Sequence, residues 1–229
     1  MTLPFAAVVP VFNPEPGLRP FVSALAETFP VVIVVDDGSV ERTEDFGALA
    51  KSAVLLRHPV NRGKGRAMKT ALRWMAANRP DLKGAVFADG DGQHRVADVL
   101  AVAKRADESG SVVFGVRDFA RKGVPFRSWW GNRWTAAEVR LLHGFRLADT
   151  QTGLRAVPAR LFGALTDLPG ERFEYESGWF ACLRRHGEPI REVPIETVYV
   201  DSNRTSHVRP FRDTVLTQRA IFGLVRTGG

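Results

Sequence analysis

Short runs of almost unbroken hydrophobic residues alternate along this chain with stretches in which apolar side chains recur every three or four positions. The runs FAAVVPVF (5–12), VVIVVDD (31–37), AVLLRH (53–58), GAVFAD (84–89) and SVVFGVR (111–117) lack polar alternation, which predicts strands covered on both faces. Between them, residues 17–28, 43–51, 64–78 and 96–109 predict helices. In the third, Ala67, Ala71, Leu72, Trp74 and Met75 form an apolar stripe at helical spacing, and Pro80 ends it. Such alternation builds an α/β fold with a mostly parallel central sheet flanked by helices. Beyond residue 118 the pattern is less regular. A helix is predicted from about Ser128 within 124–144, a strand or turn over 149–158, a helix over 174–187 closed by Gly187, a strand over 190–200 and a last helix over 211–226. No repeat, low-complexity tract or linker interrupts the chain, so residues 1–229 are read as one domain.

Ligands of such sheets bind at the carboxyl ends of the strands. Three strands end there in polar groups: Asn13, DDGS (36–39) and DGDGQH (89–94). In extended backbone, residues two apart project to the same side. Asp89, Asp91 and the amide oxygen of Gln93 can then face one divalent cation, with Mg²⁺ or Mn²⁺ suited to hard oxygen donors; the alternative is a solvated Asp-Gly turn. An EF-hand is excluded because its sixth position would be His94 where glycine is needed. Asp36 and Asp37 can accept hydrogen bonds from a ribose or base; the alternative is that Ser39 or Asp37 caps the helix that follows. NRGKGRAMKT (61–70) departs from the phosphate-loop pattern, yet Lys64 at a helix start is a candidate anion site. Arg117 at the end of its strand is another. Asp149, Glu174 and Glu176 are candidate general bases, although glutamates at a helix start also suit the helix dipole.

Charge and cysteine content narrow the setting. Thirty-two Lys and Arg against 25 Asp and Glu leave a net charge of +7, which suggests an anionic partner such as a nucleotide, nucleic acid or anionic membrane. Nucleic acid is disfavoured because the basic residues are scattered and no reader motif appears. Arg204, His207, Arg209 and Arg212 form a basic stretch after the last predicted strand, and Trp129 and Trp130 stand beside Arg127 as candidates for a membrane interface. The single cysteine, Cys182, fits a cytoplasmic protein. No apolar run approaches the ~20 residues of a membrane span, and the N-terminal stretch does not read as a secretory signal.

VVPVFN, VVDDGS, NRGKGRA, FADGDGQH, FGVR, DTQTGLRA and FEYES, in this order over residues 5 to 212, resemble the family 2 glycosyltransferases of the glycosyltransferase-A fold, and among them dolichyl- or polyprenyl-phosphate sugar synthases. The resemblance implies a nucleotide-sugar-binding half over about 1–118 and an acceptor-binding half over about 119–229. It implies an enzyme that moves a sugar, with inversion, from a UDP- or GDP-linked donor to polyprenyl phosphate or another acceptor, at the cytoplasmic face of the membrane. Asp89, Gly90, Asp91 and Gln93 would hold the metal and the donor diphosphate. Pro10, Asn13, Asp36, Asp37 and Lys64 would surround the nucleoside and its phosphates. Arg117 and Arg127 would neutralise phosphate, and Ser206, His207 and Arg209 would close over the site. A phosphate acceptor needs no strong base; a hydroxyl acceptor would call on Asp149, Glu174 or Glu176. Asn13-Pro14 stands where the family usually has Asn-Glu, so the acidic nucleoside contact is missing or is supplied by Glu15. The ending IFGLVRTGG is not the membrane helix many relatives carry. A sugar-nucleotide sensor without turnover is the remaining alternative.

Overall fold

A computed structural model describes residues 3–117 and 126–196. Its elements run β1 (Phe5–Val11), α1 (Leu18–Ala26), β2 (Val31–Asp36), α2 (Glu44–Leu49), β3 (Val54–Arg57), α3 (Lys64–Asn78), β4 (Gly84–Phe87), α4 (Val96–Ser109), β5 (Val112–Arg117), α5 (Phe126–His143), β6 (Arg155–Pro158), a 3-10 turn (Ala159–Leu161), α6 (Phe162–Thr166), α7 (Glu174–Arg185) and β7 (Ile190–Ile195). The strands form one sheet in the order β3-β2-β1-β4-β6-β5-β7. β6 alone runs antiparallel to its neighbours, β4 and β5; every other pairing is parallel.

Strand β1 shows why these residues form a central strand. Ala6 and Val8 enter one core with Met68, Leu72 and Met75 of α3 and Trp179 of α7. Phe5, Ala7, Val9 and Val11 enter the other, with Leu18 and Val22 of α1 and Val99 and Val102 of α4. Each face therefore needs apolar side chains, and period-two alternation disappears. Pro10 is tolerated here because it lies beyond the last β1–β4 pair, Val8 with Phe87, so the amide it lacks faces no ladder partner.

The first-half elements lie where the hydrophobic pattern puts them, trimmed by a residue or two at several ends. β4 stops at Phe87, which places Asp89 in the turn beyond it. The stretch 149–158 divides into a turn and the antiparallel strand β6. The 3-10 turn and α6 were not anticipated, being too short to show a helical period. The predicted helix over 211–226 lies outside the described residues, as does the predicted strand beyond 196.

Candidate active site

Three elements bring charge together beyond the end of β4. Lys64 opens α3, and its Nζ lies 2.6 Å from Asp89 Oδ1 and 2.8 Å from Glu176 Oε2 on α7. His94 Nε2 stands 3.9 Å from Asp89 Oδ2. Burial disfavours charge on both Lys64 and Asp89, but the opposing charges prevail. Lys64 is held above the usual lysine range by Asp89 and Glu176, and Asp89 well below the usual carboxylate range by Lys64 and then His94. Asp91 behaves oppositely. Its Oδ1 accepts the Gln93 N–H at 3.0 Å, closing an Asx turn, and the residue is open to solvent on one side. The protein packed around it, and then the Asp89 charge, raise its carboxyl above the ordinary value. Gly90 between them packs against Val11 and Val9.

A recess of about 50 Å³ lies beside this group, bounded by Asp89, Gln93, His94, Arg117, Gln151, Thr152, Gly153 and Ile195. Arg117 is aimed by Asp149, whose fully buried carboxylate accepts from its Nε at 2.6 Å and its Nη2 at 3.1 Å. Asp149 Oδ1 also accepts the Gln151 N–H at 3.0 Å. This carboxylate is thus committed to orienting a guanidinium and shaping a turn. Gly153 is required by proximity: a Cβ there would land on the Asp89 carboxylate. Gly153→Ala is expected to displace Asp89 or the turn, costing about 1–3 kcal/mol. Urea denaturation checks this; a variant as stable as wild type would mean that the close approach has no role.

The ends of β1 and β2 are bound to one another and to the loop before α3. Asp36 Oδ1 accepts the Ser39 N–H at 2.8 Å, and its Oδ2 faces Arg57 Nε at 2.9 Å. Asn13, at φ 52°, donates its N–H to Ser39 Oγ and accepts from Val40 N–H through its side chain. Asp37 accepts from His58 Nδ1 at 2.7 Å, Arg62 N–H at 2.9 Å and Gly63 N–H at 2.7 Å. Asp37 is therefore the anion held at this loop and helix start, and Arg66 N–H is taken by the Glu171 carbonyl. The amides of Arg62, Gly63 and Arg66 are thus committed within the protein, and Lys64 adds positive charge at the helix start. Pro10 is buried within β1.

On α7, Glu174 Oε1 accepts the N–H groups of Glu171 and Arg172, so this candidate base fastens the loop that leads into its own helix. Glu176 is committed to Lys64 through one oxygen, while the other is buried without a hydrogen-bond partner among the described residues. Arg127 lies in α5, its side chain outside the described residues, as are Ser206, His207 and Arg209.

Sequence reasoning passed over Arg155. It is 2% exposed, stacks on Phe114 at 4.5 Å and donates to the carbonyls of Thr150, Thr152 and Glu176, fastening the turn behind Asp89 to α7. Its only signal was its place inside TGLRA. His58 and Glu171, the latter paired with Arg66 and Lys69, were also missed.

Among the described residues, no cluster of three or more His, Cys, Asp or Glu is arranged to hold a metal. The donor set still fits a cation shared with a ligand, because positive charge beside Asp91 would relieve the strain that Asp89 places on it. A wider open hollow of about 500 Å³ over α1, lined by Pro16, Arg19, Pro20, Ser23 and Arg42, contains none of these carboxylates.

Comparison with known proteins bears on the family and the fold. The chain is 31% identical over 203 residues to an uncharacterised protein of Methanocaldococcus jannaschii, covering 85% of this chain and 81% of that one. It is 28% identical over 218 residues to the UDP-N-acetylglucosamine–dolichyl-phosphate N-acetylglucosaminyltransferase of Methanococcus voltae, covering 85% of each. In fold it is similar to glucosyl-3-phosphoglycerate synthase from Mycobacterium tuberculosis, solved with Mn²⁺, UDP and phosphoglyceric acid, with a TM-score of 0.66 and 22% identity over 96% of this chain and 76% of that one. The mannosyl-3-phosphoglycerate synthase of Rubrobacter xylanophilus gives the same TM-score at 19% identity, over 96% and 72%. The family model described as Glycosyl transferase family 2 matches residues 6–163, the stretch that carries Asp36, Asp37, Lys64, Asp89, Asp91, Arg117 and Asp149, and the chain belongs to that family.

Proposed function

We propose that this glycosyltransferase moves a sugar from a nucleoside diphosphate sugar, UDP- or GDP-linked, to a polyprenyl phosphate in a single inverting displacement. One observation carries the acceptor assignment: each carboxylate considered as a general base already holds an ion pair or backbone amides, and the Glu176 oxygen left without a hydrogen-bond partner among the described residues is buried. Asp149 holds Arg117, Glu174 binds the loop ahead of α7 and Glu176 pairs with Lys64. An acceptor hydroxyl would need a base within hydrogen-bond reach, whereas a phosphate oxygen arrives ionised. The Methanococcus voltae relative, a dolichyl-phosphate transferase by name, supports the same acceptor class.

In this reading the acceptor oxygen forms a bond to the anomeric carbon as the bond to the diphosphate breaks, and the electron pair leaves on the nucleoside diphosphate. Asp89, Asp91 and Gln93 would hold Mg²⁺ or Mn²⁺, which when bound supplies positive charge to the leaving diphosphate. Arg117, fixed by Asp149, neutralises phosphate at the recess, and Lys64 keeps Asp89 ionised. Asp36, Asp37 and Asn13 keep the ends of β1 and β2 in place around the nucleoside, and Ser206, His207 and Arg209 complete the proposed site.

Thermal melting with UDP, GDP, CDP and TDP, each with and without Mn²⁺, tests the donor assignment. A nucleotide at about a hundred times its dissociation constant adds about 2.7 kcal/mol to the folded state. The expected result is a metal-dependent rise in Tm with UDP or GDP; no rise with any nucleotide would overturn it.

A further inference from the structure

The described residues include six large hydrophobic side chains with wide exposure, and four of them lie on α5: Trp130 at 56%, Trp134 at 60%, Leu141 at 85%, and Leu142. At about 100° per residue, Trp130, Trp134 and Leu141 fall within a narrow stripe. Asn132, Thr135 and Val139 occupy the opposite side and are buried. That inner side is bonded to the site: Asn132 donates to the Ala148 carbonyl at 2.6 Å and accepts the Thr150 N–H at 2.9 Å, gripping the turn that carries Asp149, Gln151 and Gly153. One helix therefore holds, on one side, the turn that lines the recess and presents an apolar stripe on the other.

We infer that the Trp130–Trp134–Leu141 face of α5 docks on the surface of an anionic bilayer. This rests on the polyprenyl-phosphate reading and names the surface that would bring such an acceptor to the site. Charge argues for the bilayer: α5 carries three arginines, Arg127, Arg133 and Arg140, against one glutamate, Glu138. Arg133 and Arg140 are exposed along one flank of the stripe, while Glu138, on the other flank, accepts the Trp134 indole N–H at 2.7 Å. A second copy docked antiparallel through the same face would set arginine flanks of like charge together, whereas anionic headgroups complement them. Tryptophan suits the headgroup layer, with its ring in the apolar zone and its N–H in the polar one. No helix among the described residues is long and apolar enough to cross a membrane, so contact through α5 would be peripheral. A helix is about 10 Å across, so a bilayer under the stripe lies about one helix diameter from the turn that frames the recess.

Co-sedimentation with phosphatidylcholine vesicles, with and without phosphatidylglycerol, tests this on the full chain. The expected result is binding to the anionic vesicles alone, weakening with salt. Partitioning should fall about tenfold or more in Trp134→Ser/Leu141→Ser and in Arg133→Glu/Arg140→Glu, with the nucleotide-induced rise in Tm unchanged. Equal binding by wild type and the Trp134→Ser/Leu141→Ser protein would overturn the inference. So would a dimer, seen by light scattering, that this double substitution dissociates. The two readings fail separately. Absent vesicle binding with intact transfer to a short-chain polyprenyl phosphate sinks the docking surface alone, and vesicle binding without any nucleotide response sinks the donor assignment alone.

Discussion

An Asp91→Asn protein is expected to lose about 10²–10³-fold in sugar transfer, the scale on which a charge-stabilising group contributes to a transition state, while melting at or slightly above the wild-type temperature. The second half of that expectation follows from the direction of the shift at Asp91. Its surroundings and the Asp89 charge raise its folded-state carboxyl, so at neutral pH the folded protein carries a carboxylate that it disfavours. A group of this kind costs stability above its folded pKa. The cost fades as pH falls, and the two proteins converge below about pH 4, where the unfolded carboxyl is protonated as well. Asparagine removes the unfavourable charge and keeps an oxygen for the Gln93 N–H. Full activity in the variant, or a Tm several degrees lower at pH 7, would mark Asp91 as a structural turn residue.

Lys64→Met is expected to destabilise the fold by about 3–5 kcal/mol at neutral pH, the range for breaking a buried ion pair from one side, and to abolish transfer. Asp89 and Glu176 would then face each other without the cation between them, and His94 would offer only distant compensation. The pH dependence separates this from a general loss of packing. Asp89 is depressed in the folded state, so its contribution is present above the unfolded value near ~4 and is lost as pH falls below it. Lys64 is raised, so its contribution is present below the unfolded value near ~10.4 and is lost as pH rises through the folded one. Between those limits wild type keeps the pair, and the variant's deficit should be greatest there and shrink on acidification as the carboxylates take up protons. Urea denaturation from pH 4 to 9 checks this; a deficit that grows toward pH 4 would refute the assigned charges.

The parallel part of the fold was legible because strands such as VVIVVD, buried on both faces, cannot alternate, and α3 and α4 carry complete apolar stripes. Strand β6 was not: RAVP has four residues, and hydrophobicity does not encode direction. At the site, the gathering of Asp89, Asp91, Lys64 and Arg117 followed from the rule that such sheets bind ligands at their carboxyl edge. The pairings did not follow. Nothing in DTQTG tells that Asp149 would hold Arg117, and nothing in FEYES tells that Glu174 would bind the loop ahead of its helix while Glu176 crosses to Lys64. The hold of Asp37 on the loop before α3 could not be read because its amide partners, Arg62 and Gly63, lie in a different motif. Arg155 escaped notice because an arginine on paper is a surface residue; its burial depends on three carbonyls and an aromatic cluster that only the folded chain assembles.

The placement of β6 between β4 and β5 has a consequence for synthesis. Strand β5 hydrogen-bonds only to β6 and β7 within the described sheet, and both follow it in the chain. As the polypeptide emerges, β1 to β4 can associate at once, but β5, an apolar run ending at Arg117, has no edge to join until residues 155–158 arrive. At roughly 5–20 residues per second, that is an interval of seconds during which a bare strand waits beside an open sheet edge. The nascent chain is therefore most exposed to misassociation after β5 has emerged and before the turn that carries Asp149 and Gly153 has formed, so the segment that frames the candidate site also closes the sheet.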